Sequence, residues 1–95
     1  MTTTLSTAQL FAVSVTSFAD SVHRTDKHAA IKWFRVLMAE VETAQDQGAS
    51  LRELLRSKPV LSAYLALALQ GAESIPTINP DELREFRSYC GIWRN

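Results

Sequence analysis

The sequence has little cysteine, glycine or proline: one, three and three residues among 95. The single cysteine, Cys90, cannot form an internal disulfide, so cysteine content gives no support for an oxidising compartment. Three glycines are too few for a glycine-rich loop that cradles phosphate. The longest apolar run, residues 63–69, is far shorter than the roughly 20 residues that a membrane-spanning helix needs. These absences argue against a disulfide scaffold, a nucleotide-binding loop and a transmembrane segment.

The sequence also lacks an excess of charge of either sign, since 10 Lys and Arg balance 10 Asp and Glu. Nucleic-acid binders need surplus cations to displace counterions from phosphate. Arg52, Arg56 and Lys58 do precede a second helix after a tight turn, but that helix presents leucines where a recognition helix presents polar side chains. We therefore expect no direct binding to nucleic acid and no attraction to an anionic membrane.

The first six residues, Met-Thr-Thr-Thr-Leu-Ser, have neither the basic region nor the apolar run of a secretory signal. This start predicts a cytoplasmic protein. Ser6 and Gln9 form a capping box that begins the first helix, after a flexible N-terminus of residues 1–5. Apolar residues then recur along one helical face, and the helix is expected to end near His23 and Arg24.

Two further helices follow before the first proline of the chain. The second begins at Thr25 or Asp26 and runs to Gln47, with Gly48 as its stop. Its apolar residues cover a wider arc than the ~100° stripe of a surface helix, which predicts that it packs against more than one neighbour. The third is short, from Leu51 to about Ser57, and begins with a capping box from Ser50 to Glu53.

The fourth helix begins at Pro59, which suits a first helical turn, and is expected to end at Gln70 because Gly71 follows. It is apolar nearly all round, so it should be buried on all sides, by the core or by a partner. An internal linker is predicted at residues 71–79. Asn79 and Pro80 then start a fifth helix that ends at Gly91. The sequence predicts an all-α fold, a single small domain of about five helices spanning residues 1–95.

No set of residues indicates catalysis, a cofactor or a metal. His23 and His28 are five residues apart across a helix junction, whereas a two-histidine metal face needs a spacing of four on one helix. Cys90 lies on an apolar face with Leu83 and Phe86, which is typical of a small core residue and not of a nucleophile. The carboxylate pairs are interpreted as solvated helix surface: Glu40 with Glu42, and Glu82 with Glu85. We expect a protein that is not an enzyme.

The remaining feature is a surplus of apolar residues beyond the needs of one small core, which predicts a protein interface. The candidate partner-binding residues are large side chains with an arginine rim: Trp33, Val36, Tyr64 and Trp93, with Arg35 and Arg94. Homodimers are the commonest oligomers, and the candidate dimer contact is a set of four apolar residues on the first and fourth helices: Leu10, Val13, Leu65 and Leu69.

In length, helical pattern and neutral charge the chain resembles the small helical antiactivators of bacterial quorum sensing. The resemblance implies that the helices with Trp33-Phe34 and Tyr64 are the interaction elements. It also implies a homodimeric, non-enzymatic inhibitor that blocks the dimerisation of a LuxR-type transcription factor. Two alternatives stay open: a steric inhibitor of the phage anti-CRISPR type, which would share these features, and a small DNA-binding regulator, which would bind DNA in a salt-sensitive way.

Overall fold

A computed structural model describes the backbone of residues 7–92 and the side chains of residues 9–92. The capping box predicted at Ser6, the predicted flexible residues 1–5, and the candidate residues Trp93 and Arg94 lie outside the described part of the chain. The described residues form five helices: α1 (Thr7–His23), α2 (Lys27–Asp46), α3 (Leu51–Ser57), α4 (Pro59–Ala72) and α5 (Pro80–Cys90). The predicted all-α fold of one small domain is confirmed.

Side-chain caps begin three of these helices where the sequence predicted them. The Asp26 carboxylate accepts a hydrogen bond from the Ala29 amide, and the Ser50 hydroxyl oxygen accepts one from the Glu53 amide. The Asn79 side-chain oxygen accepts one from the Asp81 amide at 2.8 Å. Each cap pairs an amide of the first turn that has no partner within its helix.

Three helices end on a residue with left-handed backbone. Gly48 ends α2 with φ +72° and Gly91 ends α5 with φ +69°, as predicted. At the end of α5 the Ile92 amide donates to the Arg87 carbonyl at 3.0 Å, which folds Ile92 back onto the last turn. Thr25 occupies the same position after α1 with φ +58°, although it is a β-branched residue. A β-branched side chain at positive φ is strained.

Replacing Thr25 with glycine is therefore expected to raise the free energy of unfolding by about 0.5–1 kcal/mol. The gain is the left-handed strain of roughly 1–2 kcal/mol, less the extra backbone entropy that glycine loses on folding. Chemical denaturation measures it. Thr43→Gly, at an exposed position inside α2, is the matched control and should destabilise the chain because glycine is a poor helix former. Destabilisation by Thr25→Gly would contradict the strained turn.

The prediction that Gly71 ends the fourth helix is wrong, because α4 continues through it to Ala72. A Cβ atom at Gly71 would overlap Cγ1 of Val22, so the glycine permits close contact between α1 and α4. The connection before α5 is accordingly shorter than the predicted linker and comprises residues 73–79. Ile75 and Ile78 in this connection are buried, which fixes it against the core.

The core lies where α1 packs along α2 and α4, and α5 closes it against α2 and α3. The Phe34 ring of α2 lies between two others, with its centroid 5.9 Å from that of Phe18 and 5.7 Å from that of Phe86. This arrangement joins α1, α2 and α5 through aromatic contact. Between residues 7 and 92, none of the helices has the length and apolar character needed to span a membrane.

Candidate protein-binding surface

One side of α4 exposes large apolar side chains to solvent. Val60 is 80% exposed, Leu67 is 70% exposed and Tyr64 is 49% exposed. Their spacing of four and three residues places them in one row along the helix. We call this row of Val60, Tyr64 and Leu67 the α4 face. The core of this chain leaves this row uncovered, so the predicted burial of the helix on all sides would here have to come from a partner.

A groove of about 550 Å³ lies between the α4 face and α1. On the α4 side the groove is lined by Tyr64, Leu67 and the two small residues Ala68 and Gly71. On the α1 side it is lined by Ala19, Val22 and His23. Few large side chains line the groove, because alanine and glycine form much of its lining. Gly71 brings the backbones of α1 and α4 together at one end, so the same residue that sets the helix contact also shapes the groove.

Apolar side chains are also accessible on α1 and α2: Leu10 and Val13 on α1, and Trp33 and Val36 on α2. We call this set of four residues the α1–α2 face. Leu10 is 46% exposed and Val13 is 52% exposed, whereas Trp33 and Val36 are half-buried. Trp33 packs against the core, and the Lys32 ammonium lies 5.8 Å from the centre of its ring. The half-buried state of Trp33 and Val36 makes this surface less exposed than the α4 face.

A glutamate of α2 lies against α1. Glu40 is half-buried and its Oε1 accepts a hydrogen bond from the Ser14 hydroxyl. Its Oε2 is buried and has no hydrogen-bond partner among the described residues. Burial raises the pKa of the Glu40 carboxyl above its ordinary value, and the hydrogen bond from Ser14 opposes that rise. The interpretation of Glu40 as solvated surface is therefore wrong, whereas Glu42 is exposed as expected.

Glu40→Gln is expected to stabilise the chain at pH 7 and to have little effect below pH 4.5, the ordinary pKa of a glutamate. A carboxyl whose pKa is raised by folding stabilises the native state fully only when protonated, and that contribution is lost as the pH rises through the folded pKa. Glutamine cannot ionise, so it avoids the loss and can still accept from Ser14. Denaturation at both pH values measures the difference. Exposed Glu42→Gln is the control, and an equal gain from both variants would contradict burial as the cause.

The predicted partner-binding residues that the structure describes lie on two helices. Trp33 and Val36 are on α2, and Tyr64 is on α4. Arg35 lies on another side of α2, where it lines a cavity together with Met38 and Ile78. The helices that carry these four described residues were predicted correctly.

The predicted dimer contact is wrong in half of its residues. Leu65 and Leu69 have no exposed surface, because both point from α4 into the core of the same chain. A side chain without accessible surface cannot contact a second molecule unless the fold opens. Leu10 and Val13 are exposed and remain available for contact. On the same helix the exposed residue Tyr64 directly precedes the buried residue Leu65.

The residues with possible chemistry are dispersed. His23 and His28 are both exposed, and residues 9–92 contain no group of three His, Cys, Asp or Glu side chains that could bind a metal. Cys90 is 3% exposed, as predicted for a core residue, and burial raises the pKa of its thiol to about 12, with an opposing effect of the Arg52 charge. A thiol in this state is protonated at neutral pH and is a poor nucleophile.

The structural roles of two arginines, Arg87 and Arg52, were not predicted from the sequence. Arg87 is 8% exposed, and its guanidinium lies 3.2 Å from the Glu73 carboxylate. Arg52 donates from Nε and Nη2 to the Ser88 carbonyl, which ties α3 to α5. Arg87 is four residues after Leu83 and three before Cys90, which places it on the inner face of α5. This spacing was the sequence signal that could have predicted its burial.

Compared with known protein families, with curated proteins and with solved structures, the chain matches none.

Proposed function

We propose that this chain is a non-enzymatic regulatory protein that binds a partner protein through the α4 face and blocks the partner's own assembly. The observation that carries the proposal is the exposure of Val60, Tyr64 and Leu67 on a helix without charge. Removing apolar surface from water contributes roughly 25 cal/mol per Å² in favour of association, before the entropy cost of binding is subtracted. Contiguous exposed apolar surface on a small protein is typical of an interface.

The α4 face has the composition of a binding surface with one central anchor. Tyr64 lies between Val60 and Leu67 in the row, and tyrosine is enriched among residues whose truncation strongly weakens binding. The adjoining groove offers space for an apolar side chain of the partner between α1 and α4. An apolar, uncharged surface of this kind matches a partner surface that is itself made for protein assembly.

The proposed partner is a LuxR-type transcription factor, whose dimerisation the chain would prevent. Support for this choice is the similarity in length, helical pattern and neutral charge to small helical antiactivators of quorum sensing. Such a partner works in the cytoplasm, and the inhibitor would act there without contacting DNA. The α4 face, with no cation between Pro59 and Ala72, agrees with a protein partner better than with phosphate.

The test is capture of partners from an extract of the native cells, followed by mass spectrometry. Wild type, Leu67→Glu and Val13→Glu each serve as bait. Val13→Glu is the matched control, because it also adds one negative charge in place of an exposed aliphatic side chain. We expect Leu67→Glu to weaken capture of a LuxR-type factor by about thirty-fold, equivalent to one hot-spot residue. Val13→Glu should retain it.

Three results would contradict the proposal. Loss of capture in Val13→Glu alone would assign binding to the α1–α2 face. Recovery of a CRISPR effector complex would support an anti-CRISPR-type inhibitor. Retention on DNA in moderate salt, with no protein partner recovered, would support a DNA-binding regulator.

A further inference from the structure

We infer that the partner docks on the α4 face with an amphipathic helix, and that this helix carries carboxylates which pair with Arg56 and Lys58 at the start of α4. This inference rests on the proposed function and names the chemistry of the segment that the face receives. It is carried by the shape of the surface between α4 and α1, by the all-helical fold around it, and by the charges at one end of the face.

The surface between α4 and α1 has the form that receives a helix. Val60 and Leu67 are seven residues apart on α4, which corresponds to about 10 Å along the helix axis, or two turns. The groove of about 550 Å³ adjoins Tyr64 and Leu67 and is lined largely by small residues, so it has room for a large apolar side chain. Rows of side chains on one helix pack into grooves beside another when helices associate. A partner helix of two or three turns can therefore cover the row and place one anchor in the groove.

The fold around this surface favours a helix over other peptide conformations. Extended peptides commonly bind by adding a strand to the edge of a sheet, but residues 7–92 form helices and offer no such edge. Proline-rich peptides bind in grooves lined by several aromatic rings, whereas Tyr64 is the only aromatic side chain among the described residues that line this groove. An amphipathic helix needs a groove with apolar walls, and the α4 face provides one together with α1.

Positive charge lies at one end of the α4 face. Lys58 directly precedes Pro59, the first residue of α4, and Arg56 lies in the last turn of α3. Both side chains are exposed, and within residues 9–92 neither forms an ion pair or a side-chain hydrogen bond. Glu53 is the only acidic residue between positions 47 and 72, so this part of the chain has an excess of cations. Carboxylates on the partner helix supply the complementary charge.

This pairing gives the complex a direction and a faster association. The α4 face itself has no charge, so carboxylates placed beyond the apolar anchors of the partner meet cations only at the Lys58 end. Complementary charges at the rim of an interface mainly raise the rate of association, and salt screens them. Loss of an apolar anchor mainly raises the rate of dissociation. Kinetics can therefore separate the charged contacts from the apolar ones.

The first experiment measures binding to the LuxR-type factor that wild type captures, after that factor is purified and immobilised on a biosensor. The test variant is Arg56→Gln/Lys58→Gln. The matched control, Lys27→Gln/Arg84→Gln, also removes one lysine and one arginine from exposed positions. We expect the test variant to lower the association rate by about five-fold at low salt and much less at high salt, with little change in the dissociation rate. The control should bind as wild type does, and circular dichroism checks that both variants keep their helices.

The second experiment uses synthetic peptides and needs no identified target. Two peptides of about twenty residues, longer than isolated helices of marginal stability, share one row of leucines and have either two glutamates or two glutamines at each end. In nuclear magnetic resonance spectra of the labelled protein, both peptides should shift the amide signals of Val60, Tyr64 and Leu67. The glutamate peptide should bind several-fold more tightly, and Arg56→Gln/Lys58→Gln should remove the difference.

The outcomes separate this inference from the proposed function. Equal losses in the test and control variants would assign the effect to net charge and overturn the pairing, as would equal affinity of the two peptides for wild type. If Arg56→Gln/Lys58→Gln binds the target as wild type does while Leu67→Glu fails to capture it, the pairing with carboxylates is wrong and target binding through the α4 face stands. If the glutamate peptide binds as expected but no LuxR-type factor is captured, the preference for an acidic helix stands and the proposed target is wrong.

Discussion

Replacing Phe34 with alanine is expected to lower the free energy of unfolding by about 3–5 kcal/mol, the usual cost of removing a buried aromatic ring. The ring is 2% exposed and contacts the rings of Phe18 and Phe86, so its loss removes the contact that joins α1, α2 and α5. Neighbouring rings cannot collapse fully into the space, and the cavity adds to the lost burial energy.

A loss of this size is large for a chain of this length. At roughly 0.05–0.15 kcal/mol per residue, a domain of this size has a stability of only about 5–14 kcal/mol. Urea denaturation followed by circular dichroism measures the change, with the slope compared as well as the midpoint. Tyr64→Ala is the control, because it removes an aromatic ring that is half exposed, and it should cost much less. Similar losses from the two variants would mean that Phe34 is not at the centre of the core.

The helix starts could be predicted from the sequence because the physics is local. Asp26, Ser50 and Asn79 each cap an amide two or three residues away, so a short window of sequence contains the whole interaction. The ends at Gly48 and Gly91 follow from the ability of glycine to adopt positive φ. Thr25 adopts the same conformation without that ability, so the residue type gave no signal of the turn.

The candidate surface could be predicted only in part, because α4 has little contrast between its sides. Apolar residues occur all round the helix, so the sequence does not say whether Tyr64 and Leu67 or Leu65 and Leu69 face the core. Helix α5 shows the opposite case: its polar residues leave one apolar stripe, and Leu83, Phe86 and Cys90 are buried as predicted. Glu40 was misassigned for a related reason, since its burial depends on the position of α1.

The groove beside the α4 face depends on how closely α1 approaches α4, and Gly71 permits that approach. Gly71→Ala is expected to lower the free energy of unfolding by about 1–3 kcal/mol, the range for overpacking a well-filled contact. At an unobstructed position inside a helix, the same substitution would raise stability by about 1 kcal/mol. The sign reverses here because the new Cβ overlaps Cγ1 of Val22.

Val22 cannot easily turn its methyl group away, because a valine in a helix has one strongly preferred χ1 rotamer. Val22→Ala removes the obstructing methyl, so in that background Gly71→Ala should be neutral or stabilising. The double-mutant cycle, measured by chemical denaturation, is then expected to give a coupling energy of about 1–3 kcal/mol between the two sites. If Gly71→Ala stabilised the wild-type chain, or if the two changes were additive, α1 and α4 would be further apart than described. The groove beside Tyr64 and Leu67 would then be wider than described.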